Sequence, residues 1–152
     1  MQLTKNFSLV EMTKTLVRTE NHPDAGSLDA LFALCKEVLQ PLRDSLETPI
    51  HVLSAYRSPK VNAVIGGKNG SSHCKGEACD FECPGISNYE LAKAVIANKL
   101  PFDQLILEFY TPGIPQSGWV HVSYKARGEN RFQILTAVRE HGRTTCRPGL
   151  VP

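Results

Sequence analysis

From Ser27 to about Leu46 the apolar residues Leu28, Leu31, Phe32, Leu34, Cys35, Val38, Leu39 and Leu42 recur at three- and four-residue steps. That is the spacing of one helix face, and it predicts the longest helix of the chain. Pro41 lies inside the run and is expected to kink it or end its regular part, because proline has no N–H and its ring strikes the preceding turn. The spacing returns in Leu91, Ala92, Val95 and Ile96, predicting an amphipathic helix from Asn88 to Asn98. Near the start, Ser8 with Glu11 has the form of a capping box and opens a short helix within Asn6–Met12. Val61 to Ile65 predicts another short helix, after which Gly66-Gly67-Lys68-Asn69-Gly70 demands a mobile or unusual backbone path.

Elsewhere the period shortens to two. Pro49–Arg57 is strand-like and closed by Ser58-Pro59, and Phe102–Tyr110 predicts a further strand. In Ala78–Glu82, alternation sets Asp80 and Glu82 on one face and Cys79, Phe81 and Cys83 on the other. Trp119–Tyr124, entered through Gly113, Pro115 and Gly118, puts His121 and Ser123 on one face and Val120, Val122 and Tyr124 on the other. Phe132–Arg139 is expected to be a helix or a helix–strand mixture, and 141–152 a tail rich in Arg, Gly and Pro. Helices first and strands mostly later point to an α+β fold, a small antiparallel sheet with helices packed on it.

At 152 residues the chain suits one domain, 1–152 with its core at about 7–140, and can bury a core without disulfides or metal. A metal, if bound, is then expected in a catalytic role. The 17 basic and 15 acidic residues are too balanced to favour nucleic acid, although a weakly basic surface suits an anionic polymer such as cell wall. No run predicts membrane insertion, and Met1–Asn6 lacks the apolar core of a signal peptide. Synthesis in the cytoplasm as a monomer is the expectation. Cys35, Cys74, Cys79, Cys83 and Cys146 lack the doubled C-x-x-C spacing of a structural zinc site, and free thiols in a reducing compartment are expected. A Cys/His zinc site drawing on Cys74, Cys79 and Cys83 stays open as an alternative.

The chemistry concentrates in Ser71-Ser72-His73-Cys74-Lys75-Gly76-Glu77-Ala78-Cys79-Asp80, where a histidine and an aspartate flank a glycine that lets the backbone turn tightly. With His121 as a third ligand, His73 and Asp80 would hold a zinc ion and leave one position open for water. Hydrolysis at such a site also needs a base and a donor to the developing oxyanion. Glu108, a carboxylate in an otherwise apolar strand just before the loop to His121, is the candidate base; the alternative is a solvated strand-end glutamate. Arg57 is the candidate donor or carboxylate clamp through its forked N–H groups, or else an ordinary surface arginine. Ser72 could hydrogen-bond a substrate carbonyl or carboxylate, although serines beside glycines often only shape loops.

In order and spacing these elements resemble the zinc D-alanyl-D-alanine carboxypeptidase family, which belongs to a broader group with lysostaphin-type peptidases and the hedgehog signalling domain. The pattern S-x-H-x-x-G-x-A-x-D is similar to Ser71–Asp80, S-x-Y-R-S-x-x-x-N to Ser54–Asn62, and W-x-H-x-S to Trp119–Ser123. The resemblance covers roughly Phe7 to Tyr124 and is nearest to compact phage and prophage members. It implies a hedgehog-like zinc fold, zinc at His73, Asp80 and His121, an Arg57 that steadies substrate or oxyanion, and cleavage in the peptide stem of peptidoglycan. It also implies a phage- or prophage-associated protein acting on the wall. Many relatives carry an acidic residue or histidine two or three positions before the last zinc ligand, where this chain has Gly118 and Trp119. The compact phage-type relatives instead resemble this chain in having Glu before the loop. Two functions follow as expectations: a zinc carboxypeptidase or endopeptidase on stem peptides, or a catalytically silent metal-stabilised module that binds wall peptide or a virion protein.

Overall fold

The computed structural model describes residues Met1 to Pro152. The capping box at Ser8 is formed: its hydroxyl accepts from the Glu11 N–H while the Glu11 carboxylate accepts from the Ser8 N–H, opening α1 (Leu9–Met12). The long apolar-periodic run becomes α2 (Ala25–Leu34), a π-helical turn over Cys35–Leu39, and α3 (Gln40–Leu46). It starts two residues before Ser27, because the Asp24 carboxylate caps it by accepting from the Ser27 N–H at 2.8 Å. Pro41 does not end the helix. The wider π turn just before it absorbs the proline, with the Gln40 N–H bonding five residues back to the Cys35 carbonyl.

The strands are β1 (His51–Ser54), β2 (Ala78–Glu82), β3 (Gln104–Glu108), β4 (Trp119–Ser123), β5 (Gln133–Glu140) and β6 (Arg143–Pro148). The remaining helices are α4 (Pro59–Val64) and α5 (Asn88–Ala97), with a 3-10 turn at Ser72–Lys75. The fold is α+β, its six strands in the order β1-β2-β4-β3-β5-β6. The expectation of an antiparallel sheet needs one correction: β3 and β5 run parallel, and the other neighbours are antiparallel. No helical crossover is required, since β3 is inserted between β4 and β5, which oppose each other and are joined by a loop around the start of β3. That loop is latched by Asp103, whose carboxylate accepts from the Arg131 backbone N–H and Nε at 3.0 Å each and from Nη2 at 2.7 Å.

Phe132–Arg139 is therefore strand rather than helix, and most of the expected tail is β6, paired with β5 but exposed along its whole length. The first strand is shorter than Pro49–Arg57, leaving Ala55, Tyr56 and Arg57 beyond its end. One sheet face carries Val52, Cys79, Phe81, Leu105, Leu107, Val120 and Val122 into a core shared with Leu31, Leu34, Val38, Leu39, Leu42, Leu91 and Val95 of the helices. Burial of this apolar area, at about 25 cal/mol per Å², holds the helical layer against the sheet. The opposite face carries Asp80, Glu108, His121 and Ser123 beside Ile106 and Trp119. No helix is long and apolar enough to cross a membrane.

Candidate metal centre

Alternation along the three central strands decides what that second face carries. Asp80 pairs with His121 across β2 and β4, His121 with Ile106 and Trp119 with Glu108 across β4 and β3. Asp80, His121 and Glu108 thus stand side by side on one surface, while Cys79, Phe81, Val120, Val122 and Leu107 beside them fill the core. His73 reaches them from the 3-10 turn. Its position is held three ways: the Ser71 hydroxyl accepts from the His73 N–H at 3.3 Å, the His73 carbonyl accepts from the Arg57 N–H at 3.1 Å, and Nδ1 meets the Ala55 carbonyl at 2.7 Å. The last contact makes Nδ1 the donor, since a carbonyl oxygen only accepts, and directs Nε2 at Asp80.

His73, Asp80 and His121 are all buried, and their ligand atoms lie within 4.8 Å of one another. His121 Nδ1 is 2.9 Å from Asp80 Oδ1, and His73 Nε2 is 3.4 Å from Oδ2. Two imidazoles and a carboxylate converging from fixed backbone positions are the donor set of a divalent transition metal, so these residues fit such an ion. Burial alone would push the Asp80 carboxyl up. Hydrogen bonds from His121 and His73 and their charges outweigh it, and Asp80 is held below the usual carboxylate range, ionised as a ligand must be.

The cysteines do not join this cluster. Cys79 and Cys83 are buried on the core side, Cys35 is buried in the helical layer, Cys74 is half-buried and lines a separate cavity beside Asp24 and Ser27, and Cys146 is exposed on β6. Burial pushes the Cys35 thiol up to about 12 and raises Cys79 as well, so both are neutral packing groups. The Cys/His zinc alternative is corrected by that geometry.

Arg57 lies inside the site rather than on the surface. Its Nη2 donates to Asp80 Oδ2 at 2.9 Å and its Nε to the Ser54 hydroxyl at 2.9 Å. Two residues unremarked in the sequence place it. Ser54 orients the guanidinium, and buried Asn21 pins the backbone on either side, donating to the Tyr56 carbonyl at 2.9 Å and accepting from the Ser58 N–H at 2.6 Å. The S-x-Y-R-S spacing contained the signal for Ser54; nothing local pointed to Asn21, which arrives from 36 residues upstream of Arg57.

Glu108 sits 3.9 Å from His121 Nδ1, with its side chain 21% exposed. Burial and the Asp80 charge raise its pKa, opposed by His121 and Arg57 and by the Trp119 indole. That last effect is a weak dipolar one, because Trp119 Nε1 is buried without a hydrogen-bond partner. Gly118 explains the missing acidic residue before His121. Its φ is +62°, and a Cβ there would collide with the Glu108 carbonyl oxygen. The turn that delivers Glu108 to the site therefore requires glycine at position 118. Phe109, at φ +57°, ends β3 immediately after Glu108.

Ser72 lines the same cleft from the 3-10 turn, as do the glycine-rich 66–70 loop, Glu108 and the three clustered ligands, in a cavity of about 730 Å³. The loop takes left-handed turns at Gly66 and Gly70, and the Asn62 side chain donates to the Lys68 carbonyl at 2.9 Å to tie it down. No curated protein matches the chain in sequence comparison. The Peptidase M15 family model matches residues 5–123, a span that holds the whole buried His-Asp-His cluster and Arg57 and Glu108 beside it, and the chain belongs to that family.

Proposed function

We propose that the chain is a zinc peptidase that hydrolyses a bond in the stem peptides of peptidoglycan, as a carboxypeptidase or an endopeptidase. The observation that carries this reading is Glu108, a half-withdrawn carboxylate beside His121 in the cleft that His73, Asp80 and His121 line. Zinc, when bound by those three residues, supplies a Lewis acid for the scissile carbonyl and acidifies water. Glu108 then takes the proton of the attacking water and returns it to the leaving amine. Arg57, with Nε and Nη2 engaged by Ser54 and Asp80, keeps Nη1 for the substrate oxygen as negative charge develops there. Ser72 offers a hydroxyl to the peptide backbone from the facing wall.

Digestion of purified peptidoglycan, with and without chelator, followed by mass spectrometry of the muropeptides, tests the proposal and identifies the bond. New amino and carboxyl ends that vanish with chelator are expected. Glu108→Gln should retain metal and turn over about 100-fold or more slowly; turnover like the wild type removes Glu108 from the mechanism. Binding to peptidoglycan with no new ends would mean a silent wall-binding module instead.

A further inference from the structure

The cleft runs past the metal centre in two directions that differ in chemistry. At the Glu108 end its wall is aromatic, with the Phe109 and Trp119 rings packed edge to face at 5.3 Å between centroids. The other end, beyond Ser123, is lined by Lys75, Lys125 and Arg131 against the two carboxylates Glu77 and Asp103. Asp103 is already satisfied. Its side chain is 4% exposed and grips the forked guanidinium of Arg131. Lys125 Nζ, 3.6 Å from the same carboxylate and 39% exposed, is beyond ordinary hydrogen-bond length, so its charge is surplus to what Asp103 needs. Lys125 and Arg131 both follow the family-matched residues 5–123.

We infer that the Lys125–Arg131 end of the cleft binds a carboxylate of the substrate peptide and thereby selects which peptides the site accepts. The inference rests on the peptidase reading above. Ser123 stands two residues along β4 from His121, about 7 Å away, and Asp103 is bonded to the Ser123 carbonyl through its N–H at 2.7 Å. An extended peptide advances about 3.3–3.6 Å per residue, so the carboxylate lies about two to three residues from the bond that is cut. In a wall stem peptide with lysine at its third position two groups can supply it: the α-carboxylate of the glutamate and the C-terminal carboxylate.

The test uses metal-loaded Glu108→Gln, to slow turnover, and the pentapeptide L-Ala-γ-D-Glu-L-Lys-D-Ala-D-Ala in three forms: free acid, amidated at the glutamate α-carboxylate, and amidated at the C-terminus. Calorimetry should show one amide binding about tenfold more weakly than the acid, which identifies the carboxylate that is read. Lys125→Gln in the same background should bring all three forms within about twofold while leaving Tm unchanged, because Arg131 still pairs Asp103. Equal binding of the three peptides, binding of none, or a full preference surviving Lys125→Gln overturns the inference. Hydrolysis of the same peptides by the wild-type chain is scored separately. A carboxylate preference without hydrolysis would count against the peptidase reading alone, and hydrolysis without a preference against this inference alone.

Discussion

Gly76→Ala separates the two demands that the metal-site turn makes on its glycine. Gly76 has φ +73° and closes the 3-10 turn that carries His73, its N–H donating to the His73 carbonyl at 3.3 Å. A left-handed conformation costs an L-residue about 1–2 kcal/mol. The added Cβ would also press into the backbone of α2, inside van der Waals contact with the Ser27 carbonyl oxygen and 3.2 Å from Leu31 Cγ. Overpacking of this kind costs about 1–3 kcal/mol, and backbone in the capped first turn of a helix has little room to give. Together the penalty is about 2–5 kcal/mol, a fall of about 5–15 °C in Tm for a domain of this size. Gly66→Ala is the control, since Gly66 has φ +77° and nothing near the new Cβ, so it bears the conformational cost alone. Thermal unfolding by circular dichroism, run on both variants, should place Gly76→Ala well below Gly66→Ala, with weaker metal uptake as the His73 turn shifts. Equal Tm values for the two would refute the claim that contact with α2 sets the requirement.

Two further outcomes are expected. Asp80→Ala removes one metal ligand and the anion that pairs with Arg57, and should lose stoichiometric metal by plasma mass spectrometry; unchanged stoichiometry in the purified variant would sink the ligand assignment. The Arg131 hydrogen bonds, opposed by burial and aided by the Arg131 and Lys125 charges, lower the Asp103 pKa from 3.8 to about 2. A depressed folded-state pKa stabilises above the unfolded value and loses that contribution as pH falls, so wild type should exceed Asp103→Asn in urea midpoint at pH 7 and the gap should close between about pH 4 and pH 2. A gap independent of pH would show that packing, not charge, is what Asp103 supplies.

Much of the site is legible in the chain because the features that define it are short in range. The period-two pattern around Asp80 and His121 determines which face each side chain takes, and the paired surfaces on β2 and β4 follow once the strands meet. The capping box at Ser8 and the helical spacing of residues 27–46 are likewise local, and they form as read. Elsewhere a partner outside the segment decides. Pro41 argues for a kink or an end to the regular helix; the π turn over Cys35–Leu39 interrupts the regular pattern just before it, and packing of Leu39 and Leu42 into the core keeps the run helical. Phe132–Arg139 allows helix as well as strand, and pairing of Gln133–Ala137 with β3 and of Val138 and Arg139 with β6 settles it as strand.

From the sequence alone come the three candidate ligand positions, the helical layer and the alternation that keeps core cysteines away from the candidate metal face, since these depend on neighbours within a few residues. Only the tertiary structure decides that β3 lies between β4 and β5, that Asn21 and Ser54 hold Arg57 against Asp80, and that Gly118 must be glycine so that Glu108 can stand beside His121. Those are contacts between backbones far apart in the chain, and their energies exist only after the strands have docked.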